Sequence, residues 1–134
     1  MKKFENYRSN LAVLTHAHEQ DLENEFIISG IIDKFFLQLE LGWKSLKELL
    51  AYEGADIARS GSPREIIKAA YQLFDSMDED TWLTMLSQRN NMAHIYDEAE
   101  AKALTQAILD KYIPAFQALE QEILDRYGEI LNTL

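Results

Sequence analysis

The apolar positions along this chain recur at intervals of three and four, the spacing that lines one face of an α-helix. Phe4, Tyr7, Leu11 and Leu14 predict a first helix, ending near His18 to Asp21. A second runs from about Asn24 to Tyr52 on a stripe of Ile28, Ile32, Phe35, Leu39, Trp43, Leu46 and Leu50. Ile27, Ile31, Phe36 and Leu49 widen that stripe beyond what one neighbour covers. Such a helix is central in a bundle or also faces a second subunit.

The polar positions punctuate this pattern. Gly54 suits a helix stop, because glycine takes a left-handed backbone without strain. Ser62, Pro63 and Glu65 form a capping-box start for a third helix through Ile66, Ile67, Ala70, Leu73 and Phe74. Asp78 is the expected N-cap of a fourth, with Met77 and Trp82 placed as a hydrophobic staple. Asp97 and Glu100 resemble a capping box for the last helix, which runs through Leu104, Ile108, Tyr112, Leu119 and Ile123 to near Tyr127. Pro114 removes a backbone donor inside it and predicts a kink. The fold expected is an all-α antiparallel bundle of four to five helices, with residues 1–134 as one domain.

Composition narrows the function. Hydrophobic residues make up 47% of the chain, enough for a core and against general disorder. Acids outnumber bases 23 to 13, a net charge of −10, so the surface as a whole repels nucleic-acid phosphates. Any RNA contact then depends on a local site or on a partner. With no cysteine, disulfides, thiolate–zinc sites and cysteine nucleophiles are excluded. The N-terminal residues turn polar at once, and the apolar run Phe26 to Leu41 is broken by Asp33, Lys34 and Glu40. A cytoplasmic protein without a membrane span is expected.

The stretch Arg89-Asn90-Asn91-Met92-Ala93-His94-Ile95-Tyr96 stands apart chemically. Arg89 is the only basic residue between Lys68 and Lys102, and acidic residues crowd it in sequence. On a continuous helix Arg89 and His94 are roughly 140° apart and share no face. A cap at Asp97 puts His94, Ile95 and Tyr96 in a turn, where His94 can swing back toward Arg89; two copies can also converge across a two-fold axis. The pair suits metal-free phosphodiester cleavage: the imidazole moves a proton and the guanidinium holds non-bridging oxygens. An ion-paired arginine, a histidine on a carbonyl and a tyrosine packed on the next turn explain the same residues structurally.

Other candidates are weaker. His16 and His18 lie two apart, on different helix faces, and do not chelate one ion together. Asp78-Glu79-Asp80 is what a helix N-terminus favours. Trp43 and Trp82 fall on apolar stripes and are expected in the core rather than stacking bases. No glycine-rich phosphate loop, Ser/His/Asp set or paired carboxylate motif on a strand is present, so the chain is not itself a nucleotidyltransferase and no cofactor is expected.

From the Trp43 region onward the chain resembles the nucleotidyltransferase substrate-binding protein family within the HEPN superfamily. The resemblance is carried by Leu41-Gly42-Trp43-Lys44-Ser45-Leu46-Lys47, Ser62-Pro63-Arg64-Glu65, Trp82-Leu83-Thr84-Met85-Leu86, the Arg89-to-Glu98 stretch and Lys111-Tyr112-Ile113-Pro114-Ala115-Phe116. It implies a HEPN-like helical bundle that forms a homodimer. Arg89 and His94 match an Arg-x4-His element that in many HEPN proteins forms a composite ribonuclease site, which makes a metal-independent endoribonuclease acting on RNA one expectation. Asn90 fits the polar position after the arginine. Tyr96 completes the Arg-x4-His-x-Tyr form of HEPN toxins paired with a minimal nucleotidyltransferase antitoxin, and is the implied acceptor of an adenylyl group. The other expectation is a non-catalytic binding subunit of that nucleotidyltransferase.

Overall fold

The computed structural model describes residues 1–91 and 97–134. Among them all regular structure is helical: α1 (Lys2–Leu14), α2 (Glu25–Tyr52), α3 (Pro63–Leu73), α4 (Glu79–Asn90), α5 (Glu98–Ala107) and α6 (Ile113–Tyr127). Short 3-10 turns follow α1, α2 and α6. A single π turn, Ile108–Tyr112, joins α5 to α6.

The local signals work as their chemistry requires. Ser62 and Glu65 exchange the two capping-box hydrogen bonds at 3.2 Å each. The Asp78 carboxylate accepts from the Thr81 N–H at 3.0 Å, and Met77 and Trp82 on either side of that cap are both buried. Asp97 accepts from the Ala99 N–H at 2.8 Å, so it caps α5 one residue nearer than a capping box with Glu100 predicts. Asn24 caps α2 through the N–H groups of Phe26 and Ile27. Gly54 has φ +83°, the left-handed stop expected there.

One expectation needs correction, and one gains a definite form. The first helix ends at Leu14, short of His18 to Asp21; Ala17, the next apolar residue of its stripe, is buried from a separate 3-10 turn. Thr15 and His18 turn their side chains back onto Ala12 O and Thr15 O, and a 3-10 turn follows. Near Pro114 the irregularity is the π turn. In an unbroken α-helix the proline ring would crowd the carbonyl of Asp110, four residues back. The wider π turn covers that position and accommodates the ring.

The centre is α2, which packs against α1, α3, α4 and α5. Phe35, Leu39, Leu46 and Leu49 are fully buried, and Ile31 nearly so. Most of its excess apolar width is thus used inside the bundle, while Phe26 and Leu37 remain on the surface. A buried polar chain ties three helices. Asn10 Nδ2 donates to Gln38 Oε1 at 2.8 Å and to Lys34 O at 2.9 Å. Gln38 Nε2 donates to Tyr7 O at 3.0 Å, and the Tyr7 hydroxyl to Phe116 O at 2.7 Å. Among the described residues no helix is long and apolar enough to cross a membrane.

A cation pair shared by one carboxylate

Arg89 lies in the last turn of α4, where a cation is favoured by the carbonyl end of the helix dipole. Its guanidinium does not stand alone. Nη2 lies 3.5 Å from Glu40 Oε2 on α2, with both side chains about one-third exposed. The other oxygen of the same carboxylate, Oε1, lies 3.4 Å from Lys44 Nζ, one turn along α2. The indole N–H of Trp43 donates to Glu40 Oε2 at 3.0 Å and fixes the carboxylate in place. Trp43 is half-buried, with the Lys44 ammonium 5.9 Å from its ring centre, whereas Trp82 is fully buried, so the expectation of a core residue holds in full for Trp82 alone.

This arrangement sets the charge state. Burial pushes the Glu40 carboxyl up, but the Trp43 N–H and the Arg89 and Lys44 cations outweigh it and hold the group below its ordinary range. Glu40 stays ionised at neutral pH, and the cluster carries two cations on one anion. The isolated cation of the sequence is therefore one of a pair. Lys44 was hidden because it sits on another helix, and among the described residues it is Glu40 that joins it to Arg89. The signal within α2 was the Glu40–Lys44 spacing of one turn, with Trp43 between them; nothing local pointed to Arg89.

Asn90 closes α4 with an exposed side chain, and Asn91 caps the helix by donating to Ser87 O and Gln88 O. In the π turn, burial raises the pKa of the Tyr112 phenol, and the side chain of Gln88, one residue before Arg89, partly lowers it. His94 and Tyr96, with Met92, Ala93 and Ile95, lie outside the described residues, as does the predicted convergence of His94 on Arg89. What brackets them is described. On one side are Arg89 and the end of α4, and on the other the Asp97 cap of α5. Lys102 fastens α5 by pairing with Glu98 at 3.5 Å and with Glu23, before α2, at 2.8 Å.

The remaining candidates have structural partners. His16 Nδ1 meets Glu19 Oε2 at 2.9 Å and His18 Nδ1 meets Thr15 O at 2.9 Å, so each ring is engaged locally. Asp78 is the α4 cap, and its carboxyl is lowered by the hydroxyl and N–H of Thr81.

In comparison with known families, a sequence model described as nucleotidyltransferase substrate binding protein like matches residues 2–125. The match reaches back through α1, well before the motifs that begin near Trp43. A search of curated proteins finds no match.

Proposed function

Because the chain belongs to the nucleotidyltransferase substrate binding protein-like family, we propose that it is the helical partner of a minimal nucleotidyltransferase in a two-gene, toxin–antitoxin-type pair. It binds that enzyme and offers it the segment around residues 89–96 as substrate. The observation that carries this reading is the family match across nearly the whole described bundle. The helix ends that flank the segment support it, since Asn90, Asn91, Asp97 and Glu98 are all exposed.

In this reading Tyr96 is the acceptor. Its phenolic oxygen attacks the α-phosphorus of ATP held by the partner, a P–O bond forms, and pyrophosphate leaves with the nucleotidyltransferase taking the phenolic proton. The test is incubation of the chain with its nucleotidyltransferase and ATP, followed by mass analysis of the peptide containing residue 96. One or more added adenylyl groups are expected, and none on Tyr96→Phe. An unmodified peptide under conditions where the partner is active refutes the assignment.

The activity so silenced is metal-independent RNA cleavage by a homodimer. His94 moves the proton of a ribose 2′-hydroxyl, and Arg89 steadies the charge on the phosphate. Purified protein should then sediment as two chains and cleave RNA in the presence of a chelator, and His94→Ala should abolish that cleavage. The second reading, a binding subunit without ribonuclease activity, is favoured by one observation: Arg89 is engaged by Glu40. No cleavage by either wild type or His94→Ala decides for it, whereas equal cleavage by both refutes His94 as the proton-transfer group.

A further inference from the structure

Among the ion pairs of the described residues, Glu40 is the carboxylate that serves two Lys or Arg cations. Lys2, Lys3, Arg8 and Arg126 each meet a carboxylate of their own, and Lys102 meets two. The Glu40 cluster is thus a local surplus of one positive charge on a chain of net charge −10. Its contacts are loose. Separations of 3.4 and 3.5 Å exceed the roughly 2.7–2.9 Å of a full charge-assisted hydrogen bond. Among the described residues, the neutral Trp43 N–H alone holds Glu40 at normal hydrogen-bond length.

The geometry also states what kind of anion fits. One oxygen of Glu40 takes Lys44 and the other takes Arg89, so two oxygens on a single atom already bridge the pair. The two non-bridging oxygens of a phosphoryl group have the same form. An ammonium has three donors and a guanidinium five, while Glu40 takes one approach from each. Both side chains also keep solvent-exposed surface, Lys44 at 42% and Arg89 at 32%.

We propose that Lys44 and Arg89, gathered on Glu40 from two helices, form a cradle for the phosphoryl oxygens of a nucleotide ligand, with Lys44 as its second cation. This rests on the reading that the Arg89 end of the molecule meets nucleotides, but it requires neither RNA cleavage nor modification of Tyr96. Salt screens the attraction of the two cations for the phosphoryl oxygens, so binding weakens as salt rises.

The test is a titration of the full chain by NMR, following the indole N–H signals of Trp43 and Trp82. The probes are adenosine 5′-diphosphate and a 2′-O-methyl adenylate pentamer, whose blocked 2′-oxygens prevent cleavage. The Trp43 signal should move on saturation while that of the fully buried Trp82 stays in place. Lys44→Met should weaken binding about tenfold, the size of one charge-assisted contact. It should also reduce the slope of log affinity against log salt for the pentamer by about 0.7. Lys47→Met, on the same helix, should leave affinity within about twofold, as expected for a cation that makes no direct phosphate contact. Saturation by the pentamer alone assigns the cradle to a chain phosphodiester, and saturation by the diphosphate assigns it to a mononucleotide. No movement of Trp43 with either probe overturns the proposal, and so does a Lys44→Met protein that binds as wild type or a Lys47→Met protein that loses as much. Because neither reaction is monitored, a chain that binds both probes yet cleaves no RNA and accepts no nucleotide keeps this cradle and loses only the functional reading.

Discussion

Gly42→Ala is a substitution whose sign the structure decides. Gly42 lies inside α2, where alanine is favoured over glycine by about 1 kcal/mol. On helix preference alone the variant gains stability. A methyl group there, however, meets Tyr7 Cε2 at 3.2 Å and the Trp82 ring at 3.5 and 3.6 Å. The Trp82 contacts are ordinary; the Tyr7 contact is short, and the tyrosine must retreat by a few tenths of an ångström. It has nowhere to go. Tyr7 is fully buried, stacked on Phe4 at 5.8 Å and edge-on to Phe116 at 6.2 Å, with its hydroxyl on Phe116 O. Overpacking of a fixed core costs about 1–3 kcal/mol, so the helix gain is outweighed by up to about 2 kcal/mol.

Gly30 supplies the control on the same helix, because nothing lies within 4 Å of a methyl group built there. Gly30→Ala should therefore be stabilised by about 0.5–1 kcal/mol. In a chain of this size, 1 kcal/mol moves Tm by roughly 3–5 °C. Thermal unfolding followed by circular dichroism should raise Tm for Gly30→Ala and lower it for Gly42→Ala. A Gly42→Ala protein at or above the wild-type Tm would falsify the reasoning, since Tyr7 would then be free to yield.

Two further variants test the polar groups. Glu40→Gln keeps an acceptor for the Trp43 N–H but loses the charge that Lys44 and Arg89 share, which should cost roughly 0.5–2 kcal/mol at neutral pH. The Glu40 carboxyl is held below its ordinary 4.5, so its contribution is present above that pH and is lost as pH falls through the folded value. The Tm gap between wild type and Glu40→Gln should be full above about pH 5 and close below it; a gap that persists unchanged in acid contradicts the charge argument. Gln38→Leu removes two buried hydrogen bonds of about 1 kcal/mol each, partly offset by the apolar side chain gained. Because Asn10 is the group it leaves underpaired, Asn10→Leu with Gln38→Leu should cost less than the sum of the single variants, and strict additivity in urea unfolding tells against the network.

What could be read from the chain was whatever one turn of helix can specify. Ser62-Pro63-Arg64-Glu65, Asp78 and Asp97 are caps whose donors lie two or three residues away, and each caps its helix, Asp97 through Ala99 rather than in a box with Glu100. The stripe of α2 placed its buried residues correctly for the same reason, Trp43 excepted, which is half-buried. Pro114 announced an irregularity but not its form, because a lost donor is equally compatible with a kink and with a π turn. The site divided along the same line. Arg89 was conspicuous through its acidic sequence neighbours, yet those neighbours are not what it touches. Glu40 and Lys44 come to it through the packing of α2 against α4, which depends on contacts between residues distant in sequence.

That packing links the core to the cradle. Consecutive residues on a helix point about 100° apart, so Gly42, Trp43 and Lys44 face three directions within one turn of α2. Gly42 admits the Trp82 ring of α4, Trp43 fixes Glu40, and Lys44 shares that carboxylate with Arg89. On α4, Trp82 and Arg89 lie two turns apart on one face, so the depth to which Trp82 seats also sets how near Arg89 comes to α2. Gly42→Ala accordingly has a second expected readout. By pressing on the Tyr7 and Trp82 rings it should move Arg89 off Glu40 and weaken diphosphate binding, although residue 42 touches no ligand. Gly30→Ala, at the far end of α2, should leave that binding unchanged. A Gly42→Ala protein that loses stability but binds the diphosphate as wild type would show that the two ends of α4 adjust independently.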